Sequence, residues 1–248
     1  MNLPHYKPSI FTSFPEVIAA ESTRHGGISP APYASLNLGK STGDVLDNVL
    51  TNRRIFCESL GITWSALAFS FQVHGDDVLV ASEAGQYQGF DAVITNQRGV
   101  FAAVSVADCT PILIYDTRNQ AVGAVHAGWR GTVKGIVSKS LALMQQHFGT
   151  QAADCYAYVG TCIDECSFEV GEEVATHFAN DFKRFDHAKQ KFFVDLKAAN
   201  QAQLLAFGIP ATQIEVSPFS TVLHNDSYFS HRLEKGITGR MVAVIGVR

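Results

Sequence analysis

Two rhythms of hydrophobic residues divide the chain. Short apolar or alternating runs predict strands over 68–73, 78–80, 91–95, 99–106, 121–125, 155–160, 214–216 and 241–247. The last is apolar without a break, which predicts a central strand covered on both faces. Three- and four-residue spacing predicts helices instead. Val45, Val49, Phe56, Leu60 and the stem of Arg53 share one face of a helix over 44–60 that Gly61 stops. Val133, Ile136, Val137, Leu141, Met144 and Phe148 mark a second, over 132–148, with Thr132 as its N-cap. Asp195 caps a third over 196–207, closed by Gly208 before Pro210, and a shorter helix is expected over 171–178.

Between these elements the punctuation is informative. Apolar residues over 104–116 are interrupted at Asp108-Cys109, and Pro111 removes a ladder donor, so a strand end or bulge is expected there. The run from Ala121 delivers His126 into a glycine-rich turn, Ala127-Gly128-Trp129-Arg130-Gly131. The strand over 68–73 ends at His74-Gly75, and a hairpin with His74 at its turn is the simple expectation. The segment 22–39, with Gly26-Gly27 and two prolines, is either a functional loop or a surface loop held by Leu36 and Leu38. Residues 180–193 are polar with four phenylalanines, expected to be a connector with anchors. No repeat or linker divides the chain, which predicts a single domain over 1–248 of α+β class, with mixed sheets and flanking helices.

Composition narrows the function classes. A formal charge of -4 and a pI near 6.1 lack the basic footprint of nucleic-acid binding. No run reaches the roughly 20 apolar residues needed to cross a bilayer, and no signal peptide is evident. Five cysteines, an odd count at irregular spacing, fit reduced thiols and a cytoplasmic location. Cys57 beside an apolar stripe and the Cys162/Cys166 pair read as core thiols.

His74, Cys109 and His126 each stand at the end of an apolar strand, where a sheet rim faces a cleft. Two imidazoles and a thiolate suit zinc and leave a fourth position for water or substrate. Cys109 as nucleophile with His126 as base uses two of the same residues, and both roles require thiolate. The turn after His126 carries its own alternatives. Its amides and Arg130 would bind an anion, or its glycines would only allow close packing around Trp129. The zinc deaminase signature is absent. There is no His-x-His pair, and nine scattered histidines are poor provision for several coppers.

The blocks Thr23-Arg24-His25-Gly26-Gly27, Leu36-Asn37-Leu38-Gly39, Gln72-Val73-His74-Gly75, Ala107-Asp108-Cys109-Thr110-Pro111-Ile112, Val125-His126-Ala127-Gly128-Trp129-Arg130-Gly131-Thr132 and Thr238-Gly239-Arg240 run in order through the chain. Together they resemble the YfiH-type laccase-domain family, whose members are described as polyphenol oxidases or purine nucleoside phosphorylases. The resemblance implies mixed sheets flanked by helices, and zinc on His74, Cys109 and His126, with copper as the less supported ion. It also implies phosphorolysis of adenosine, inosine and methylthioadenosine, with adenosine deamination. In that reading the triad is catalytic, Arg24 and Arg130 bind the anionic group, and Asn37 orients the substrate. Alternatives are an amide hydrolase that edits peptidoglycan (muropeptide) precursors, a copper polyphenol oxidase, and a non-catalytic metal-stabilised module. The chain departs from the family pattern at Ser167-Phe168 (Cys-Tyr in the family), at Ser220 (Cys) and at His231-Arg232-Leu233 (Tyr-Arg-Arg).

Overall fold

The computed structural model describes residues 4–248. In chain order the strands are β1 (His5–Tyr6), β2 (Val17–Ser22), β3 (Leu67–Phe71), β4 (Val78–Val80), β5 (Gly85–Gln88), β6 (Ala92–Thr95), β7 (Phe101–Val106), β8 (Thr110–Asp116), β9 (Ala121–Ala127), β10 (Cys155–Val159), β11 (Glu169–Val170), β12 (Lys183–Asp186), β13 (Lys191–Val194), β14 (Ile214–Val216) and β15 (Met241–Val247). The helices are α1 (Leu46–Leu60), α2 (Trp129–Val133), α3 (Ile136–Phe148), α4 (Glu172–Ala175) and α5 (Leu196–Phe207). No helix among the described residues is long and apolar enough to cross a membrane.

Two six-stranded mixed sheets, ordered β1-β2-β15-β7-β3-β5 and β14-β10-β8-β9-β6-β4, pack face to face. Period-2 alternation explains the layering. On β15, Ala243, Ile245 and Val247 point between the sheets, where they meet Leu113, Tyr115, Val122 and Ala124. Val242 and Val244 point the other way, toward Phe56 and Leu60 of α1. On β8, Ile112 and Ile114 face outward to Ile136, Leu141 and Met144 of α3, with Leu204 of α5 beside them. The sandwich is therefore helix, sheet, sheet, helices. The α+β class and the doubly covered central β15 are as expected.

Several expectations change. The hairpin around His74 does not form. β3 pairs in parallel with β5 and β7 in the first sheet, while β4 pairs in parallel with β6 in the second, so 72–77 crosses from one sheet to the other. The helix expected over 132–148 is two helices. Gly128, not Thr132, starts α2, and Gly135 at φ 76° breaks the chain before α3. The Thr132 hydroxyl instead meets Asn200 of α5. Helix α1 begins two residues later than expected, because Asp44 is engaged by Ser29 and Asn37. The 180–193 connector is a small sheet, β11-β13-β12, packed with Phe168 and Phe178. The caps at Gly61, Asp195 and Gly208 are as expected.

Candidate metal centre and cleft

Topology brings the three distant residues together. Because β3 and β7 are parallel neighbours, their C-terminal ends lie at one end of the sandwich. From there both chains cross to the second sheet, one through 72–77 carrying His74, the other through 107–109 carrying Cys109. Antiparallel pairing then sets Ala127 opposite Thr110 and His126 opposite Pro111, so β9 arrives where β8 departs. The ligand atoms of His74, Cys109 and His126 all lie within 4.8 Å of one another, and the two imidazole rings stand edge to face at 4.9 Å. Among the described residues these three are the group of His, Cys, Asp or Glu side chains able to hold a metal ion.

Asp91, one residue before β6, organises the cluster. It is completely buried, and its carboxylate accepts from the backbone amides of Val73 (3.1 Å), His74 (2.9 Å) and Gly75 (2.7 Å). It also accepts from Nδ1 of His126 at 2.8 Å, and its carbonyl takes the His126 amide. An ionised carboxylate only accepts, so His126 presents Nε2 to the cluster. A carboxylate behind a histidine ligand is the arrangement that orients metal-binding imidazoles. Sequence reasoning saw Asp91 only as the start of a strand. Its one signal is an acid at the entry of a fully buried apolar strand.

The electrostatics agree with a metal centre. Burial opposes ionisation of the Cys109 thiol, but the facing His126 charge and hydrogen bonds from both histidines outweigh it, lowering its pKa to about 6. Burial likewise disfavours charge on His126, yet the Cys109 thiolate and Asp91 raise it to about 9. By contrast, burial pushes Cys57, Cys155 and Cys162 up to about 12, as expected of core thiols. Cys166 is exposed and donates to Asp164, so the core reading fails for that half of the pair. Two imidazoles, a thiolate and a carboxylate behind one imidazole fit a divalent metal.

Gly128 permits the close approach. A Cβ there would lie 3.1 Å from Cys109 Sγ and 3.3 Å from His74 Cδ2, and one on Gly131 would lie 2.8 Å from the Gly75 carbonyl. These glycines therefore allow close packing, Gly128 against the ligand side chains and Gly131 against the 72–77 crossover. Gly128→Ala is expected to retain the fold, since φ is -69° there, while displacing two ligands and weakening metal affinity about tenfold. A chelator competition beside a melting curve checks this; unchanged affinity would mean that the turn yields without moving the ligands.

The triad opens into a cleft of about 630 Å³. Trp129 and Phe168 give it aromatic surface, and Lys40, Arg53, Arg130, Arg232 and Arg240 line it with cations. Asp108 is the acid in this lining, and its carboxylate is engaged by Thr221 Oγ1 (2.5 Å) and the Arg232 amide (2.6 Å). The cleft is thus cationic within a chain of net charge -4. Arg130 stacks over Trp129 at 4.4 Å, and the family departures Phe168 and His231 both stand in the cleft wall. Helix α2 has only five residues, so charge here comes from Arg130 more than from a helix dipole.

Arg24 and Asn37, expected to meet the substrate, are not among the residues that line this cleft. Arg24 donates to the carbonyls of Ala34 and Asn225, pairs with Glu234 at 3.2 Å and lies over Phe229. Asn37 is completely buried. It donates to Thr42 and Asp44, and accepts from the amides of Gly39 and Arg240. From behind the cleft, Asn37 therefore positions the loop and Arg240, which lines the wall. The segment 22–39 is largely architectural, pinned by Asn52 to the carbonyls of Ser35 and Asn37.

The chain is similar to known proteins over nearly its whole length. A purine nucleoside phosphorylase of Bacteroides thetaiotaomicron is 37% identical over 250 residues, covering 94% of this chain and 93% of the relative. Purine nucleoside phosphorylase YfiH of Escherichia coli is 36% identical over 235 residues, covering 92% and 93%. The crystal structure of YlmD from Geobacillus stearothermophilus superimposes with a TM-score of 0.90 at 35% identity, over 96% of this chain and 94% of that one. The resemblance carried by the sequence blocks is borne out along nearly the whole chain. Residues 18–248 match the model of one family, and the chain belongs to it: the multi-copper polyphenol oxidoreductase laccase family, of YfiH type.

Proposed function

We propose that this protein is a zinc-dependent purine nucleoside phosphorylase acting on adenosine, inosine and methylthioadenosine, with adenosine deamination as a second activity. One observation carries the reading: a His-Cys-His cluster opens into a nucleoside-sized cleft lined by cations. Similar proteins named purine nucleoside phosphorylase support it. Zinc, when bound, would supply Lewis-acid polarisation of a substrate oxygen or nitrogen.

Phosphorolysis breaks the bond from ribose C1′ to the base and joins a phosphate oxygen to C1′. The purine leaves with the bond pair and takes up a proton. The chain must hold a dianion beside a neutral nucleoside, and the arginines of the cleft suit that task, because a guanidinium fork matches a phosphate face. Trp129 and Phe168 offer surfaces for the flat base. Asp91 fixes the His126 ring and, through the 73–75 amides, the His74 loop.

His2Cys donor sets also occur in copper proteins, so the ion is part of the proposal. The ionised Cys109 beside His126 favours the second reading, an amide hydrolase on a cell-wall precursor with Cys109 as nucleophile. The test is incubation of the zinc-loaded protein with each nucleoside plus phosphate, and separately with a serine-containing muropeptide. Phosphate-dependent release of free base is expected, and inosine formed from adenosine would report deamination. Muropeptide cleavage without nucleoside turnover would replace the proposal with the hydrolase, and turnover of neither would leave a binding module.

A further inference from the structure

Arg53 lies on α1, where its stem continues the apolar face. The structure shows a buried cation with no carboxylate partner. It is 4% exposed, its Nε donates to the Leu38 carbonyl at 2.9 Å, and its guanidinium lies 4.0 Å over Trp64 and 6.0 Å from Phe69. Among the described residues, no ion pair includes it. Burial draws its pKa down to about 10; the Cys57 thiol beside it is pushed up to about 12 and is neutral at pH 7. Buried charges are normally paired. Aromatic stacking offsets part of the cost and accounts for the flat face of the group. Arg53 also lines the cleft, and the side-chain hydrogen bond it makes among the described residues is the Nε donation to Leu38. Lys40 and Ser41, two and three residues past the carbonyl that holds Nε, line the same wall and are exposed. Thr42 is tied back to Asn37 and keeps that loop in place.

We propose that Arg53, with Lys40 and the Ser41 hydroxyl, forms a phosphate-binding subsite in the wall made by α1 and the 39–42 loop. Arg53 supplies a preorganised fork, held on one side by Leu38 and on one face by Trp64. Lys40 supplies a mobile charge that closes over the oxyanion. The ligand is either inorganic phosphate or the phosphate ester of a nucleotide, since both present the same oxygens. The subsite deepens the phosphorylase reading and rests on it only for the identity of the molecule that carries the phosphate.

The test is calorimetric titration of the metal-loaded protein with inorganic phosphate, and with a nucleoside beside its 5′-monophosphate. Wild type is compared with Arg53→Gln, Arg53→Lys and Lys40→Ala. Arg53→Gln is expected to lose about ten- to a hundredfold in phosphate affinity, the loss of one or two charged hydrogen bonds. Arg53→Lys, which retains charge and stem but not the fork, should fall between. Lys40→Ala should weaken binding less, and less again in high salt. If Arg53→Gln fails to fold, the other two variants decide. Arg53-dependent binding of inorganic phosphate alone identifies the free ion. An Arg53-dependent preference for the monophosphate over the nucleoside, with no binding of the free ion, identifies the ester. Equal binding by wild type and folded variants, or no binding of either ligand, would overturn the subsite. Phosphorolysis with an unchanged phosphate KM in Lys40→Ala and Arg53→Lys would remove the subsite and spare the phosphorylase reading. Arg53-dependent phosphate binding in a protein that turns over no nucleoside would do the reverse.

Discussion

Cys109→Ser is expected to lose the metal while the protein stays folded. A serine hydroxyl remains protonated at neutral pH, so the site would exchange an anionic sulfur for a neutral oxygen. Losing an outer carboxylate alone typically costs 10–100-fold in metal affinity, so loss of a ligand should exceed about a hundredfold. The fold has little reason to fail, because serine is nearly isosteric and Cys109 lies at the margin of a small cluster with Val106 and Met241. Metal content by mass spectrometry, beside circular dichroism, checks this. Full metal in the folded variant would remove Cys109 from the ligand set.

Asp91→Ala is expected to damage both fold and site. The change strips the acceptor from three backbone amides and from His126 Nδ1 in a fully buried position. Orphaned buried donors cost about 1–3 kcal/mol each, and partial rescue by water brings the expected loss to about 3–5 kcal/mol. Asp91→Asn keeps one acceptor oxygen for the loop amides but has no anionic charge for His126. Its stability should recover in part while metal affinity stays 10–100-fold down. Chemical denaturation and chelator competition measure the two effects separately. A stable Asp91→Asn with wild-type metal affinity would reduce Asp91 to a loop anchor.

The two residues show where sequence reading succeeds and where it stops. Cys109 and His126 were legible because an unusual side chain at the end of an apolar strand is a local signal. The apolar run of β15 and the Asp195 cap were local signals too. Asp91 was not legible, because its partners lie 16–18 and 35 residues away and meet it only through a crossover. The same crossover defeated the hairpin expectation: alternation over 68–73 and 78–80 describes two strands equally well in one sheet or in two. The split at Gly135 escaped because α2 and α3 continue nearly the same three-to-four spacing, and only the positive φ distinguishes a break. Arg24 and Arg53 are placed by the fold in ways that their sequence contexts do not show. A loop arginine beside glycines suggested binding, yet the fold satisfies its donors internally. An arginine on a helix face suggested only a packing stem, yet the residue lines the cleft.

The most direct measurement is anomalous diffraction at the zinc absorption edge, from crystals of protein purified without added metal. One peak is expected, bonded to His126 Nε2, Cys109 Sγ and a His74 ring nitrogen at about 2.0–2.3 Å, with its fourth side toward the cleft. A peak elsewhere, a peak at the copper edge instead, or an ordered triad with no bound metal would contradict the zinc centre on which the account rests.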